Sequence, residues 1–465
     1  MNSVLGKFLK YTGTFLCGVL VLTLLLVAVA CIPRSAIQKN MEKSAHYLCD
    51  GELFGKVIDD VDSSKIDRYA DSILLAIAYQ YDSEKPLESV MRSAYYANPI
   101  ENENQNLFDA VTKGKEANLQ YLRYWHGSLA LVRPLLVLFD ISHIYVINAV
   151  LCAILVVVLL VMLLKSKLSR AAVAIAVGLM GTSVWFVPFS LEYTWTYLLM
   201  LASSIVAVLL ARRRKWNLLG IFFMVVGMVT SYLDFLTTET LTLTVPLLLV
   251  LWLLYSVDDR EAKGRAGKIS VQSILFWGFG YVGMWVSKWL LASVVLSENV
   301  MPYVTQHMNE RIGGDVGISF GSYLFGAVFN NMKCLFPFDY GEIGVFAGIL
   351  LLLYLVYRGF VYHRNNTERK LIYSCIGIAV IPYVRYLILH NHSYLHFFFT
   401  YRAQMGTIVA ILFVLEMLLN VIVAACPFIK MFEITVINQF QFSIAGVIDA
   451  IDPFKKALDL SLIHI

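Results

Sequence analysis

Apolar residues along this chain come in long unbroken runs, and short polar clusters separate them. The first run, "TGTFLCGVLVLTLLLVAVAC", ends at Cys31. Others fall near 143–164, 171–189, 194–211, 217–234, 241–257, 271–296, 343–362, 371–389 and 402–424. A helix of about 20 residues rises about 30 Å, the thickness of a bilayer's hydrocarbon core. The pattern therefore predicts an all-α polytopic membrane protein with about ten transmembrane helices. The first run is longer than the apolar part of a signal peptide and lacks a small-x-small cleavage site after it, so it reads as an uncleaved span.

Two long segments interrupt the rhythm, at 33–142 and 297–342. The first holds "SSKIDRYADSILLAIAYQY", which predicts an amphipathic helix, and the apolar piece "SLALVRPLLVLF", too short to span and expected to lie along the membrane surface. The second holds another short amphipathic piece, "GISFGSYLFGAVFNNMKC". Residues 1–424 read as one integral membrane domain and 425–465 as a cytoplasmic tail, whose last residues, "DLSLIHI", resemble a translated sequencing adapter. No internal repeat is visible, which counts against a transporter built from inverted halves.

Composition agrees with the pattern. Of 465 residues 58% are hydrophobic and 15% charged, and mean hydropathy is +0.68, outside the range of soluble domains. The net charge of +4 reflects short basic clusters between spans and gives no reason to expect nucleic acid. Those clusters orient the chain instead. With the N-terminus inside, Lys165, Lys167 and Arg170, then "RRRK" at 212–215, "DDREAKGRAGK" at 258–268 and "RGFVYHRNNTERK" at 358–370 all fall on the cytoplasmic side. Five of the seven cysteines lie in or beside apolar runs, and no CxxC occurs, so the cysteines carry no metal or redox signal.

The two long segments then face outward, together with "HNHSYLH" at 390–396. Cations run against the charge bias on that side: Lys288 within a span, Arg385 and Arg402 at span ends, and Arg133 in the short apolar piece. A buried cation costs several kcal/mol unless paired, and a lipid-linked phosphate would pair all of them, with His392 and His396 as further donors. Arginines at span ends also snorkel to headgroups, and Lys288 has Asp234 and Glu239 as alternative partners. Trp125, His126, Glu192 and Glu239 are expected in the same outward cavity. HxH spacing raises a divalent metal, but no complete ligand set accompanies it. Among the acidic residues 59, 60, 62, 67 and 71, Asp71 opens an apolar helix, where desolvation suits a general base. Helix capping explains it equally.

This organisation resembles the GT-C glycosyltransferases, integral membrane enzymes that take sugar from a polyprenyl-phosphate carrier on the non-cytoplasmic face. "SYLDFLTTETLTL", "WGFGYVGMWVSKW" and "NHSYLHFFFTYR" also resemble blocks of uncharacterised multi-pass proteins of Gram-positive bacteria. The likeness covers roughly residues 1–424 and implies a bacterial plasma-membrane protein. It further implies an inverting transfer in which Asp71 or Asp60 is the base and Lys288, Arg402, Arg385, His392 and His396 hold the donor phosphate. The acceptor would be a glycan, a glycolipid or a protein. A flippase for a lipid-linked saccharide, or a surface-polysaccharide polymerase or ligase, would draw on the same cations.

Overall fold

The computed structural model describes residues 2–257, 263–313, 319–336, 341–362 and 366–425, so the expected tail lies outside the described residues. Among them no strand forms; two isolated bridges, Lys56 with Lys65 and Tyr95 with Leu119, pin loops. After α1 (Asn2–Ala30), the first long segment folds into α2 (Arg34–Cys49), α3 (Arg68–Gln80), α4 (Pro86–Arg92), α5 (Glu103–Thr112) and α6 (Leu129–Leu138). Then come α7 (Ile141–Lys165), α8 (Ser169–Gly181), α9 (Leu191–Arg212), α10 (Leu219–Leu233), α11 (Leu241–Ser256) and α12 (Ala266–Leu296). The second long segment supplies α13 (Met301–Gly313) and α14 (Phe320–Lys333). The remainder is α15 (Gly341–Tyr362), α16 (Asn366–Ile388), the short α17 (His390–Leu395) and α18 (Phe397–Thr400), and α19 (Met405–Ala425).

Seven helical stretches among the described residues are long and apolar enough to cross a membrane: Phe8–Ala30, Ile141–Lys165, Leu191–Arg212, Trp216–Leu233, Ala266–Leu296, Arg369–Ile388 and Phe397–Met417. The chain is an α-helical, membrane-embedded protein. The three remaining expected spans correspond to shorter apolar helices, and the causes are local. The run 171–189 stops being α-helix at Gly181, because Ser183 turns left-handed (φ 51°) and a 3-10 turn with Pro188 follows. Helix α11 has 16 residues, buried from Leu241 to Leu254 among α9, α10, α12, α16 and α19. Protein surrounds it over nearly its whole length. In α15 the apolar stretch among the described residues is Gly341–Tyr354.

Within the first long segment, α3 is not a surface-lying helix. Every residue of α3 from Asp71 to Gln80 is buried, because α2 and α5 pack on it from one side and the start of α9 from another. Arg133 of α6 is fully buried too, its guanidinium donating to the carbonyls of Ala78 and Ile32. This segment forms the second of two hydrophobic cores, continuous with the ends of α1, α10 and α12 and the starts of α7 and α9. The first core lies around α11. The second core closes one end of the bundle, and the polar chemistry gathers there.

Candidate functional site: a carboxyl chamber at the head of an apolar groove

Two acidic residues define the centre. Asp67 ends the loop after α2 and is the N-cap of α3, accepting from the Ala70 N–H at 2.9 Å. Glu192 sits in the first turn of α9 behind the cap Ser190, which accepts from the Glu192 N–H at 3.3 Å. The two carboxyls both line the same cavity. Asp67 is 2% exposed, and Oε2 of Glu192 is buried with no partner. Burial pushes the Asp67 carboxyl up to about 6, against the lowering pull of its Ala70 hydrogen bond. Two neighbouring carboxyls cannot both ionise cheaply.

Asp71 sets this pair. It lies one helical turn after Asp67, on the same face of α3. One of its oxygens accepts from the Leu191 N–H (2.8 Å) and the Ser190 hydroxyl (3.3 Å), the other from the Tyr145 hydroxyl (2.5 Å). It therefore fastens the start of α9 to α3, which brings Glu192 opposite Asp67. Burial raises the Asp71 carboxyl to about 8.

The pair faces a chamber of about 410 Å³ walled by Tyr69, Tyr95, Tyr121, Tyr124, Phe235 and Phe399. His126, His392, His396, His307, Arg123 and Arg311 also line it. His126 (φ 53°) is bonded through Nε2 to the Tyr121 carbonyl at 2.9 Å, while its Nδ1 has no partner, nor has Nδ1 of His396. Burial pulls both imidazoles down to about 3, and His392 well below its usual value. These rings are neutral polar groups at pH 7. The charge comes from Arg123, whose guanidinium lies 4.2 Å from the Tyr121 ring and 5.3 Å from the Tyr124 ring, and from Arg311 of α13. Neither arginine has a carboxylate partner among the described residues.

A second cavity, about 540 Å³ and almost wholly apolar, runs down between α12 and α16 under α13. It shares Arg123, Tyr124, His307 and Arg311 with the chamber. At its head the buried pair Arg385 Nε–Glu239 Oε1 measures 2.8 Å, and Arg385 also donates to Ser393 Oγ (2.9 Å) and the Leu236 carbonyl. No family model, no curated protein and no solved structure matches the chain.

The expected site residues divide accordingly. His126, Glu192, His392 and His396 meet in the chamber, and Arg385 with Glu239 stands at the groove head. Trp125, Asp71, Lys288 and Arg402 line neither cavity. Trp125 Nε1 donates to the Met284 carbonyl at 2.7 Å. Lys288 Nζ donates to the Val90 and Met91 carbonyls (2.6 and 3.1 Å) at the end of α4, 5.6 Å from the Trp125 ring. Arg402 donates to the Ser63 and Phe398 carbonyls between the rings of Tyr193 and Tyr401. Asp60, exposed at φ 61°, borders a separate polar pocket of about 360 Å³. Among the described residues no three His, Cys, Asp or Glu side chains gather as metal ligands. Sequence reasoning counted Asp67 among the acidic residues but preferred Asp71, and it did not single out Arg123 or Arg311. Arg123 was visible in principle, flanked by aromatics in "QYLRYWHG".

Proposed function

We propose that the chain is an inverting membrane glycosyltransferase that takes a sugar from a lipid-phosphate carrier, with the chamber opening on the outer face of a bacterial plasma membrane. One observation carries the reading. Two buried carboxyls, Asp67 and Glu192, face the same chamber as two arginines without a carboxylate partner among the described residues, and those arginines stand at the head of an apolar groove. The groove takes the lipid, Arg123 and Arg311 the phosphate, and the tyrosine-walled chamber the sugar. An acceptor hydroxyl attacks the anomeric carbon, and its proton passes to the Asp67–Glu192 pair. The bond from that carbon to the phosphate oxygen breaks, and the negative charge leaving with the phosphate is met by the two guanidiniums. Asp67 replaces Asp71 and Asp60 as the base in this proposal. Glycans, glycolipids and proteins all remain acceptors of suitable chemistry, and about ten spans with the N-terminus inside is the topology that goes with it.

The test is an assay of the purified chain with polyprenyl-phosphate sugars, following release of the carrier phosphate. Asp67→Asn is expected to lower kcat by about 10²–10⁴, whereas Arg311→Gln raises KM as well, because the phosphate is bound before and during reaction. The wild-type rate should climb as pH rises through about 6, where the Asp67 proton is lost, and level off above. Transfer that survives Asp67→Asn unchanged would defeat Asp67 as the base, and no release of carrier phosphate by the wild type from any polyprenyl-phosphate sugar would favour a flippase.

A further inference from the structure

Charge in the chamber follows from its side chains one at a time. Among the described residues Arg123 and Arg311 are its standing cations and Asp67 and Glu192 its acids. Four histidines complete the basic residues on its wall, and the surroundings of each decide whether it adds a third positive charge. His126 sets Nε2 against the Tyr121 carbonyl at 2.9 Å. A carbonyl only accepts, so Nε2 carries the proton and Nδ1 is bare. That Nδ1 has no partner, and the rings of Tyr121, Tyr124 and Phe235 lie 5.0, 6.1 and 5.2 Å from the imidazole. A second proton there would find no acceptor. His392 Nδ1 lies 3.4 Å from an Arg385 guanidinium nitrogen, which only donates. Protonating it would set one cation's N–H against another's.

His396 stacks on Phe399 at 5.3 Å and stands 4.8 Å from the His392 ring. Its Nδ1 has no partner, and burial together with the Arg311 and Arg385 guanidiniums disfavours a proton on it. His307 is the exception, with Nδ1 2.6 Å from Glu310 Oε2, so any charge it gains is cancelled within that pair. The positive charge therefore stops at two guanidiniums. The carrier phosphate bears one negative charge while joined to the sugar and about two once released, which engages both. Arg385, the next cation, is tied to Glu239 Oε1 at 2.8 Å.

What remains to meet the sugar is two acids, a set of phenols and three uncharged imidazoles. A carboxylate on the sugar would face Asp67 with no counter-charge left to offset it. At about 6 Å and an effective dielectric of about 20, two like charges repel enough to lower affinity about a hundredfold. Hydroxyls and amides carry no such penalty, because imidazole and phenol both donate and accept. We infer that the chamber takes sugars that carry no acidic group, such as a hexose or an N-acetylhexosamine, and rejects uronic acids. The neutral wall of His126, His392 and His396 beside Asp67 and Glu192 is its specificity determinant. This rests on the reading of the substrate as a lipid-phosphate sugar and adds the class of sugar.

The experiment measures binding, apart from any transfer. The full chain in nanodiscs is loaded with a radiolabelled polyprenyl-phosphate hexose, which is displaced by the unlabelled hexose, hexuronate and hexuronamide carriers. The three sugars are nearly the same size, and only the hexuronate is charged. For the wild type the hexuronate carrier should bind about a hundredfold more weakly than the hexose carrier, and the hexuronamide carrier about as well as the hexose. Asp67→Asn removes one facing charge and His396→Arg supplies a third guanidinium, so each should narrow the gap about tenfold. The gap is a ratio within one variant, so a general loss of binding moves both carriers alike. Equal wild-type affinities for hexose and hexuronate overturn the inference and leave the lipid-phosphate reading standing. So does a hexuronamide bound as weakly as the hexuronate, or a gap that both variants leave unchanged. If no carrier binds at all, the inference and the reading fall together.

Discussion

Three fully buried ionisable residues, Lys288, Arg402 and Asp71, each find a partner in the backbone. Lys288, fully buried in α12, meets the last carbonyls of α4, where unpaired C=O groups and the negative end of the helix dipole favour a cation. Arg402 does the same for the Ser63 carbonyl and so holds the loop that delivers Asp67. Asp71 reverses the polarity, accepting at the start of α9. Removing that acceptor strands three buried donors at once, each worth about 1–3 kcal/mol. Asp71→Leu should therefore cost about 3 kcal/mol or more and lower the melting temperature in detergent, whereas Asp71→Asn, which keeps one acceptor oxygen, should cost much less. The pH trend separates the two effects. The folded-state pKa of Asp71 lies near 8 against 3.8 for the free group, so the fold binds this proton more tightly than the unfolded chain does. Its stabilising contribution is complete below about 4 and is lost as pH rises to about 8. Wild-type melting temperature should fall across that window, less steeply in Asp71→Asn; identical slopes would show that the carboxyl is not held protonated. Composition and charge bias drew attention to the unusual cations and the acidic stretch. They could not separate Asp67 from Asp71, because the difference is one helical turn of α3 and depends on where α9 begins.

At the scale of elements, α10 and α12 make the closest approach in the bundle that glycine permits. A Cβ on Gly227 would stand 2.1 Å from the Trp277 carbonyl oxygen, and one on Gly280 would stand 2.1 Å from that of Met224. The obstacle is backbone on both sides, so no rotamer change relieves it, and small residues at such crossings are what let membrane helices pack. Gly280→Ala should force the helices apart and cost at least the 1–3 kcal/mol of core overpacking, as a rough scale. It should also displace Trp277 in the wall of the groove. Gly278→Ala, on the same helix with nothing within 4 Å, is the matched control and should melt like the wild type. Equal losses in both variants would mean the crossing is looser than described. Helices of this kind were legible from apolar run length alone, and most boundaries fell within a few residues. Run length failed where the environment is not lipid: α11 is short because protein surrounds it, and α3 is buried on every side although its sequence suggested an interfacial helix. Hydropathy reports how apolar a helix is, and a protein core and a bilayer reward that equally.

The molecule as a whole has a chemical end and a plain end. Chamber, groove head and the second hydrophobic core lie where α1, α10, α12 and α16 finish and where α7 and α9 begin. The opposite ends of α7 and α9 run into Lys165, Lys167 and Arg170 and into the cluster Arg212, Arg213, Arg214 and Lys215. The insertion bias keeps lysine and arginine near span ends in the cytoplasm, and in the proposed topology the carboxyl chamber therefore faces outward. The direction matters chemically, since a lipid carrier is the form in which an activated sugar reaches a face without nucleotide sugars. A chain with its seven cysteines replaced allows single cysteines to be placed back. A cysteine at Ile100, which is 89% exposed at the chamber end (Ile100→Cys), should react with a membrane-impermeant maleimide in intact cells, and Arg214→Cys only after permeabilisation. Because both sites are exposed loops, failure to label reflects sidedness and not burial. If Arg214→Cys labels from outside and Ile100→Cys does not, the chamber faces the cytoplasm, and the proposed need for a lipid-borne donor disappears with it.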